Sequence, residues 1–160
     1  MAEVGSAGRV ASTTHLVAEA MHWGAETVRP EDTVQLAAVV MEAFEIGPLP
    51  VCQGDRLVGM ITDRDITIRA VAAGRDPSKT TVGEIMTADG VVACHDDQEV
   101  SEAVALMRTY EVRRLPVVDR HDRVIGMIAL ADIARCESPE IAAAALAGVS
   151  QPTQTELLVR

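Results

Sequence analysis

The sequence Gly-Met-Ile-Thr-Asp-Arg-Asp-Ile occupies residues 59–66, and a second version, Gly-Met-Ile-Ala-Leu-Ala-Asp-Ile, occupies residues 126–133. Each version is preceded by a Leu-Pro-Val triplet, at residues 49–51 and at residues 115–117. A fixed period is the signature of an internal repeat, and it decides the fold before any single element does. The chain therefore contains two copies of one structural unit.

The duplication extends outward from these motifs in both directions. The offset between equivalent residues stays between 65 and 67, so each copy needs only single-residue adjustments. Upstream, Val17 and Met21 match Val82 and Met86. Between these and the triplets, apolar residues recur at a helical spacing, namely Val34, Ala37 and Met41 in copy one and Val100, Ala103 and Met107 in copy two.

Each copy predicts the same order of elements. A short helix ends near Met21 or Met86, an extended stretch follows, and a longer helix covers 33–44 or 99–110. Two strands then form a hairpin across a polar turn, and a second helix begins near Asp63 or Leu130. Apolar residues nearly encircle the longer helix, which predicts burial between layers. Phe44 and Tyr110 occupy equivalent positions and are interpreted as packing residues.

Two units of about 60 residues are each marginal alone, so they are expected to share one packed module. The fold class is α/β (α+β), with two βαββα repeats related by a pseudo-two-fold axis. The predicted boundaries are a tail at 1–14, repeat one at 15–76, repeat two at 77–137, and a C-terminal helix and tail at 138–160. Gly74 is expected to end the last helix of repeat one.

Composition excludes several classes of protein. The formal net charge is −10 and the pI about 4.8, which disfavours nucleic acids and anionic membranes as partners. No apolar run approaches the ~20 residues of a membrane helix, and no signal peptide is evident, so a cytoplasmic location is expected. The three cysteines are widely spaced. They are interpreted as reduced, buried or semi-buried thiols, with a single disulfide as the minority alternative.

The repeated motifs resemble those of the CBS-domain pair, from about Leu16 to Cys136. The linker Ala-Ala-Gly-Arg-Asp-Pro is similar to that of small stand-alone bacterial CBS proteins of the hypoxic-response type. The resemblance implies an α/β module with a cleft between its repeats that binds AMP, ADP, ATP or S-adenosylmethionine. It also implies that modules pair into disc-shaped homodimers.

Thr62 and Asp65 are the first candidate ligand residues. They lie where a strand passes into a helix, a place that favours a phosphate through free N–H groups. The hydroxyl can donate to a phosphate oxygen and the carboxylate can accept from ribose hydroxyls, the roles that the resemblance implies. The same Thr-x-x-Asp pattern also suits a helix cap without any ligand.

Copy two departs from this pattern, because Ala129 replaces the threonine while Asp132 is kept. The resemblance implies that each cleft borrows from both copies. Thr62 and Asp65 would face Arg113 and Arg114, whose guanidinium groups suit a phosphate. Asp132 would face Gly47 and Pro48, which carry no charge, with Arg64 leaning toward that second cleft. Exposed ion pairs are the alternative for Arg113 and Arg114.

Enzyme chemistry has little support in the sequence. The four histidines (His15, His22, His95 and His121) lack metal-ligand spacing, and neither a nucleophile elbow nor a phosphate-binding glycine loop is present. We therefore expect a non-enzymatic sensor that needs no cofactor. The rival hypothesis is an interaction or oligomerisation module that binds no nucleotide.

Two further expectations concern apolar side chains. A homodimer is expected to cover one helix face, and an apolar pocket is expected to receive an adenine ring. The candidates for the dimer face are Ile66, Ile68, Ala70 and Val71, and those for the pocket are Val28, Ile61, Val92, Val117 and Met127.

Overall fold

The computed structural model describes residues 15–136, together with residues 143, 146 and 147. The predicted tail at 1–14 and most of the C-terminal segment at 138–160 lie outside these residues. The helices are α1 (Val17–Ala20), α2 (Val34–Phe44), α3 (Asp63–Asp65), α4 (Val82–Ile85), α5 (Val100–Thr109) and α6 (Leu130–Cys136). The strands are β1 (His22–Trp23), β2 (Pro48–Gln53), β3 (Arg56–Thr62), β4 (Cys94–His95), β5 (Arg114–Val118) and β6 (Val124–Ala129).

The predicted order of elements is confirmed in both copies. Antiparallel hairpins join β2 to β3 and β5 to β6, and each contains a register shift just after the Pro-Val dipeptide. The second helix begins at Asp63 in copy one and at Leu130 in copy two. Beyond α3 the chain continues as a π-helical segment, Ile66–Val71, and Gly74 adopts a positive φ of 68° shortly after it.

The leading segment of each copy, which contains α1 and β1 in copy one and α4 in copy two, packs on the other copy. Strand β1 pairs antiparallel with β6, so the second sheet has the order β1-β6-β5-β4. Helix α1 contributes Val17 and Met21 to the core around Leu115 and Ile128, which belong to copy two. In the same way, α4 contributes Val82 and Ile85 to the core of copy one. The two copies therefore complete each other's cores and depend on each other to fold.

Two glycines permit this exchange, because the leading segments lie directly against the second strand of each hairpin. A Cβ built on Gly126 would lie 2.2 Å from the carbonyl oxygen of His22, which is backbone and cannot move aside. A Cβ on Gly59 would lie 2.6 Å from the Met86 sulfur, at the far end of a flexible side chain, and 3.1 Å from the nearest backbone atom, the Thr87 carbonyl oxygen. Gly126 therefore tolerates an added side chain less well than Gly59 does.

We expect Gly126→Ala to lower the free energy of unfolding by about 1–3 kcal/mol, the usual cost of overpacking. The matched variant Gly59→Ala should cost less, because the Met86 side chain can rotate away. Urea denaturation followed by circular dichroism measures both. Equal stability of Gly126→Ala and the unchanged protein would contradict the close contact between β1 and β6.

The prediction that the longer helices are buried between layers is wrong. Only one stripe of α2 is buried, formed by Val34, Ala37 and Met41. Its other apolar side chains reach solvent, and so do the two aromatic residues interpreted as packing residues. The exposed side chains are Leu36, Val39 and Phe44 on α2 and Tyr110 after α5. A count of apolar positions around a helix does not reveal which side meets the sheet.

The predicted dimer face is only partly exposed. Ala70 is fully buried within the chain, and Ile66 packs against the core of copy one. Ile68 and Val71 are 53% and 61% exposed. Ile66 and Ala70 are four residues apart and share the side of the helical segment that faces the core, whereas Ile68 and Val71 share the side that faces solvent. Only Ile68 and Val71 remain available to a partner.

Cys52 and Cys94 are buried free thiols, as the sequence predicts, whereas Cys136 is exposed. Burial raises the pKa of Cys52 to about 11 and that of Cys94 to about 12. Both buried thiols are thus protonated and unreactive near neutral pH.

Within the described residues, no helix is both long enough and apolar enough to span a bilayer.

A candidate ligand cleft between the two copies

A cleft of about 1210 Å³ opens between the two hairpins and receives residues from both copies. This volume exceeds the ~300–1000 Å³ typical of small-molecule sites, so a nucleotide fits with room to spare. Its lining is mainly apolar, with charged groups concentrated on two walls. The charged and hydroxyl side chains in it are Thr62, Asp63, Arg64, Asp65, Thr87, Tyr110, Arg113 and Arg114.

The copy-one wall is built by the turn from β3 into α3. Thr62 ends the strand, and its backbone N–H and hydroxyl both donate to Oδ2 of Asp65, at 2.9 and 2.8 Å. The Asp65 N–H donates in return to the Thr62 hydroxyl at 3.1 Å. This is a complete capping box, so the capping interpretation of Thr-x-x-Asp is confirmed. The same bonds orient the Asp65 carboxylate at the cleft.

One oxygen of Asp65 retains capacity for a ligand. Oδ1 has only a loose ion pair with Nε of Arg69, at 3.5 Å, whereas Oδ2 holds the two bonds of the cap. Each carboxylate oxygen can accept two hydrogen bonds. Since the Asp65 side chain is 16% exposed and lines the cleft, Oδ1 can accept a hydroxyl without breaking the cap.

The copy-two wall begins where the chain enters β5. Arg113 and Arg114 are exposed and line the cleft opposite the Thr62–Asp65 turn. Among the described residues, neither guanidinium group has an ion-pair or hydrogen-bond partner. The surface ion pairs considered as an alternative for these two residues are therefore not formed there. By contrast, carboxylates lie within 4 Å of Arg29, Arg56, Arg69, Arg75, Arg123 and Arg135.

The two clefts expected from the sequence form one cavity. Arg64, which is expected to lean toward the second cleft, lines this cavity together with Asp65, Arg113 and Arg114. Gly47 and Pro48 also line this cavity. The hairpins approach each other closely enough that the two half-sites form one continuous space, a property of packing that sequence spacing does not contain.

Of the five residues proposed for an adenine pocket, only Val92 lines the cleft. Val28, Ile61 and Val117 belong to the two cores, at 3% exposure or less. Met127 does not line it either, and pairs across the sheet with His22 and Pro116. Tyr110 also lines the cleft, and sequence reasoning did not assign it there. Its register with Phe44 indicated packing, and nothing local marked it as facing a cavity.

Asp132 is the one candidate site residue that the structure does not bring into the cleft. Its side chain is 4% exposed, and Oδ2 accepts from the Ala129 N–H at 2.8 Å. Oδ1 contacts Nε2 of His22 at 2.9 Å and also accepts from Arg135. Asp132 thus occupies the position equivalent to Asp65, but its carboxylate is engaged inside the chain.

The arrangement is suited to binding a polar, anionic ligand. The cleft brings together a ribose-type acceptor and three guanidinium groups across an apolar floor, a combination that holds a polar, anionic ligand. Among residues 15–136, 143, 146 and 147, no group of three His, Cys, Asp or Glu side chains could hold a metal ion.

The profile of the CBS domain matches this chain twice, over residues 17–71 and 82–138. The chain belongs to the CBS-domain family. Both matched stretches end within the second helix of each copy or just beyond it, so each contains one whole hairpin and the helices on either side. The resemblance in the repeated motifs and the α/β fold class are thereby confirmed.

Stand-alone CBS proteins are among the similar sequences. Hypoxic response protein 1 of Mycobacterium tuberculosis strain H37Rv is 40% identical over 116 residues, covering 72% of this chain and 80% of the relative. The CBS domain-containing protein YhcV of Bacillus subtilis is 39% identical over 125 residues, covering 78% and 87%. The matched region thus makes up most of each of these two relatives.

Solved CBS pairs share the architecture. The crystal structure of Hypoxic Response Protein I with two coordinated zinc ions aligns with a TM-score of 0.69 at 38% identity, covering 76% of this chain and 98% of that one. The CBS pair of protein MJ0100, in complex with 5′-methylthioadenosine and S-adenosyl-L-methionine, aligns with a TM-score of 0.67 at 31% identity, covering 77% and 95%.

Proposed function

We propose that this CBS pair is a regulatory module, without catalysis of its own, that binds one adenine nucleotide of the AMP, ADP or ATP type in its cleft. The observation that carries the proposal is the pairing of walls. The Asp65 carboxylate of copy one shares a cavity with two arginines of copy two that have no acidic partner among the described residues. The copy-one wall supplies the carboxylate and a single guanidinium group, that of Arg64, and the copy-two wall adds the other two guanidinium groups.

Asp65 is assigned to the ribose. Its Oδ1 can accept from both hydroxyls of the diol, while the cap to Thr62 keeps the carboxylate oriented. Hydrogen bonds to a charged acceptor stabilise a complex by about 1.5–3 kcal/mol. The Thr62 hydroxyl already donates to Asp65 and accepts from its N–H, so in this proposal it orients Asp65 before it contacts any phosphate.

Arg113 and Arg114 are assigned to the phosphates, with Arg64 on the opposite wall as a third contact. A guanidinium group donates two parallel hydrogen bonds to a phosphate. Three such groups attract an anion locally in a chain whose formal net charge is −10. They outnumber the two carboxylates of the cleft, Asp63 and Asp65, and therefore favour AMP, ADP or ATP over S-adenosylmethionine, whose sulfonium group carries positive charge. The adenosyl compounds bound by MJ0100 support an adenosine-type ligand in such a cleft.

A protein-interaction module is the second candidate, and one observation favours it. Leu36, Val39 and Phe44 expose apolar surface along α2, and α2 contacts the π-helical segment that carries Ile68 and Val71. Exposed apolar patches mark sites of association. We propose that this surface forms a homodimer, which is compatible with nucleotide binding at the separate cleft.

Calorimetric titration with AMP, ATP and S-adenosylmethionine tests the proposed function. We expect AMP and ATP to bind with one ligand per chain and S-adenosylmethionine to bind more weakly. Binding of the nucleotides should weaken as salt is added, because the phosphate contacts are electrostatic. No heat and no thermal shift with any of the three ligands at millimolar concentration would leave the interaction module as the better account.

A further inference from the structure

Asp65 and Asp132 occupy equivalent positions in the two copies, but their carboxylates have different surroundings. Asp65 and Asp132 both accept from a backbone N–H three residues earlier, of Thr62 and Ala129 respectively. Thr62 and Ala129 both line the cleft, but only Asp65 lines it as well. The backbone of copy two thus provides the same position for a ribose acceptor, and the difference must come from the side chains around the carboxylate.

The first difference is at the strand position that faces each hairpin. His22 pairs with Met127 in copy two, and Thr87 bridges to Met60 in copy one. Met60 and Met127 are equivalent residues of the repeated motif, so His22 and Thr87 occupy equivalent positions. Thr87 is short and lines the cleft. His22 is longer, and its Nε2 reaches Oδ1 of Asp132 at 2.9 Å.

The second difference lies one turn along the helix that follows. Arg135 stands three residues after Asp132 and donates to the same Oδ1. The equivalent residue in copy one is Ile68, which is 53% exposed and offers no donor. Oδ1 of Asp132 therefore has two contacts, enough to occupy both of its lone pairs, whereas Oδ1 of Asp65 has one loose ion pair.

We propose that His22 and Arg135 are specificity-determining residues that occupy a latent second nucleoside site in copy two. Their donors take the positions on Asp132 that a ribose diol would use, which limits the chain to one ligand. The inference rests on the proposed function, since it assigns Asp132 the role that Asp65 has in copy one. The site behind these two side chains is of the same chemical class, an adenosine-type ribose site.

The test exchanges the residues between the copies. His22→Thr combined with Arg135→Ile gives copy two the side chains of copy one. Thr87→His combined with Ile68→Arg gives copy one those of copy two. Equilibrium dialysis with labelled AMP measures the number of ligands per chain and the affinity, and circular dichroism checks that each variant is folded. The full chain is used throughout.

We expect one AMP per chain for the unchanged protein and two for His22→Thr/Arg135→Ile. For Thr87→His/Ile68→Arg we expect the affinity to fall at least tenfold, because Asp65 becomes engaged. A folded His22→Thr/Arg135→Ile protein that still binds one AMP would overturn this inference alone. Two AMP per unchanged chain would also overturn it. No binding by either protein would overturn the proposed function together with the inference.

Ala129→Thr tests the remaining explanation, namely that copy two binds no AMP because it lacks the threonine hydroxyl. Alone, this variant should still bind one AMP, because His22 and Arg135 continue to occupy Asp132. A second AMP bound by Ala129→Thr alone would show that the missing hydroxyl is decisive and would contradict the role given to the two donors.

Discussion

Asp65→Ala is expected to lower the affinity of the chain for AMP by about 10- to 150-fold, whereas Asp132→Ala is expected to leave the affinity within about threefold of the original value. The range corresponds to the loss of ~1.5–3 kcal/mol from hydrogen bonds to a charged acceptor. Asp65 lines the cleft with an oxygen available to the ribose, whereas Asp132 is directed at His22 and Arg135. Calorimetric titration of both variants with AMP measures the contrast.

Two controls make this comparison decisive. Asp65→Ala also removes a helix cap, which costs about 1 kcal/mol of stability, so a thermal melt must show that the variant is folded at the titration temperature. Asp132→Ala serves as the matched variant, because it removes the equivalent cap in copy two. Equal affinities of the two folded variants would show that the ribose does not contact Asp65.

Ile85→Ala should lower the free energy of unfolding by about 2–5 kcal/mol, the usual cost of emptying a buried isoleucine position. Ile85 is 2% exposed and packs in the core of copy one, although it lies in the part of the sequence that begins copy two. Leu16→Ala is the control, because Leu16 is apolar but 41% exposed and lies outside the surface proposed for the homodimer. Urea denaturation measures both variants.

The buried thiols report where Ile85→Ala acts. Cys52 lies on β2 of copy one and Cys94 on β4 of copy two, and burial raises the pKa of both. At about pH 8 each thiol is protonated when folded and reacts with a disulfide reagent only after local opening. We expect Ile85→Ala to accelerate labelling of Cys52 more than that of Cys94. Unchanged stability, or faster labelling of Cys94 alone, would contradict the exchange of leading helices.

Because burial raises the pKa values of the two thiols, the free energy of unfolding depends on pH. The unfolded chain ionises its cysteines near pH 9, before the folded chain does at about 11 and 12. The contribution of the buried thiols is therefore complete below about pH 9 and is lost as the pH rises through the folded values. Thiol labelling near pH 8 consequently reads opening and not ionisation.

Much of the candidate site could be predicted from the sequence. Thr62 and Asp65 were found because a hydroxyl and a carboxylate three residues apart follow an apolar strand, which is a local pattern. Arg113 and Arg114 line the same cavity as these two residues, and their pairing is an expectation that came from the family resemblance. The place of Tyr110 in the cavity and the merging of the two expected clefts were not predicted, because both depend on how closely the two hairpins approach each other.

By itself, the sequence determined the duplication, the order of elements and the two hairpins, since the hydrophobic period and the turn residues that specify them act over a few residues. The tertiary structure alone decided which copy receives each leading segment. That choice follows from contacts between residues far apart in the chain, such as His22 with Met127 and Ile85 with the core of copy one. It also places Asp65 at the cleft and keeps Asp132 out of it, because His22, which is 110 residues away in the chain, joins Arg135 at the second carboxylate.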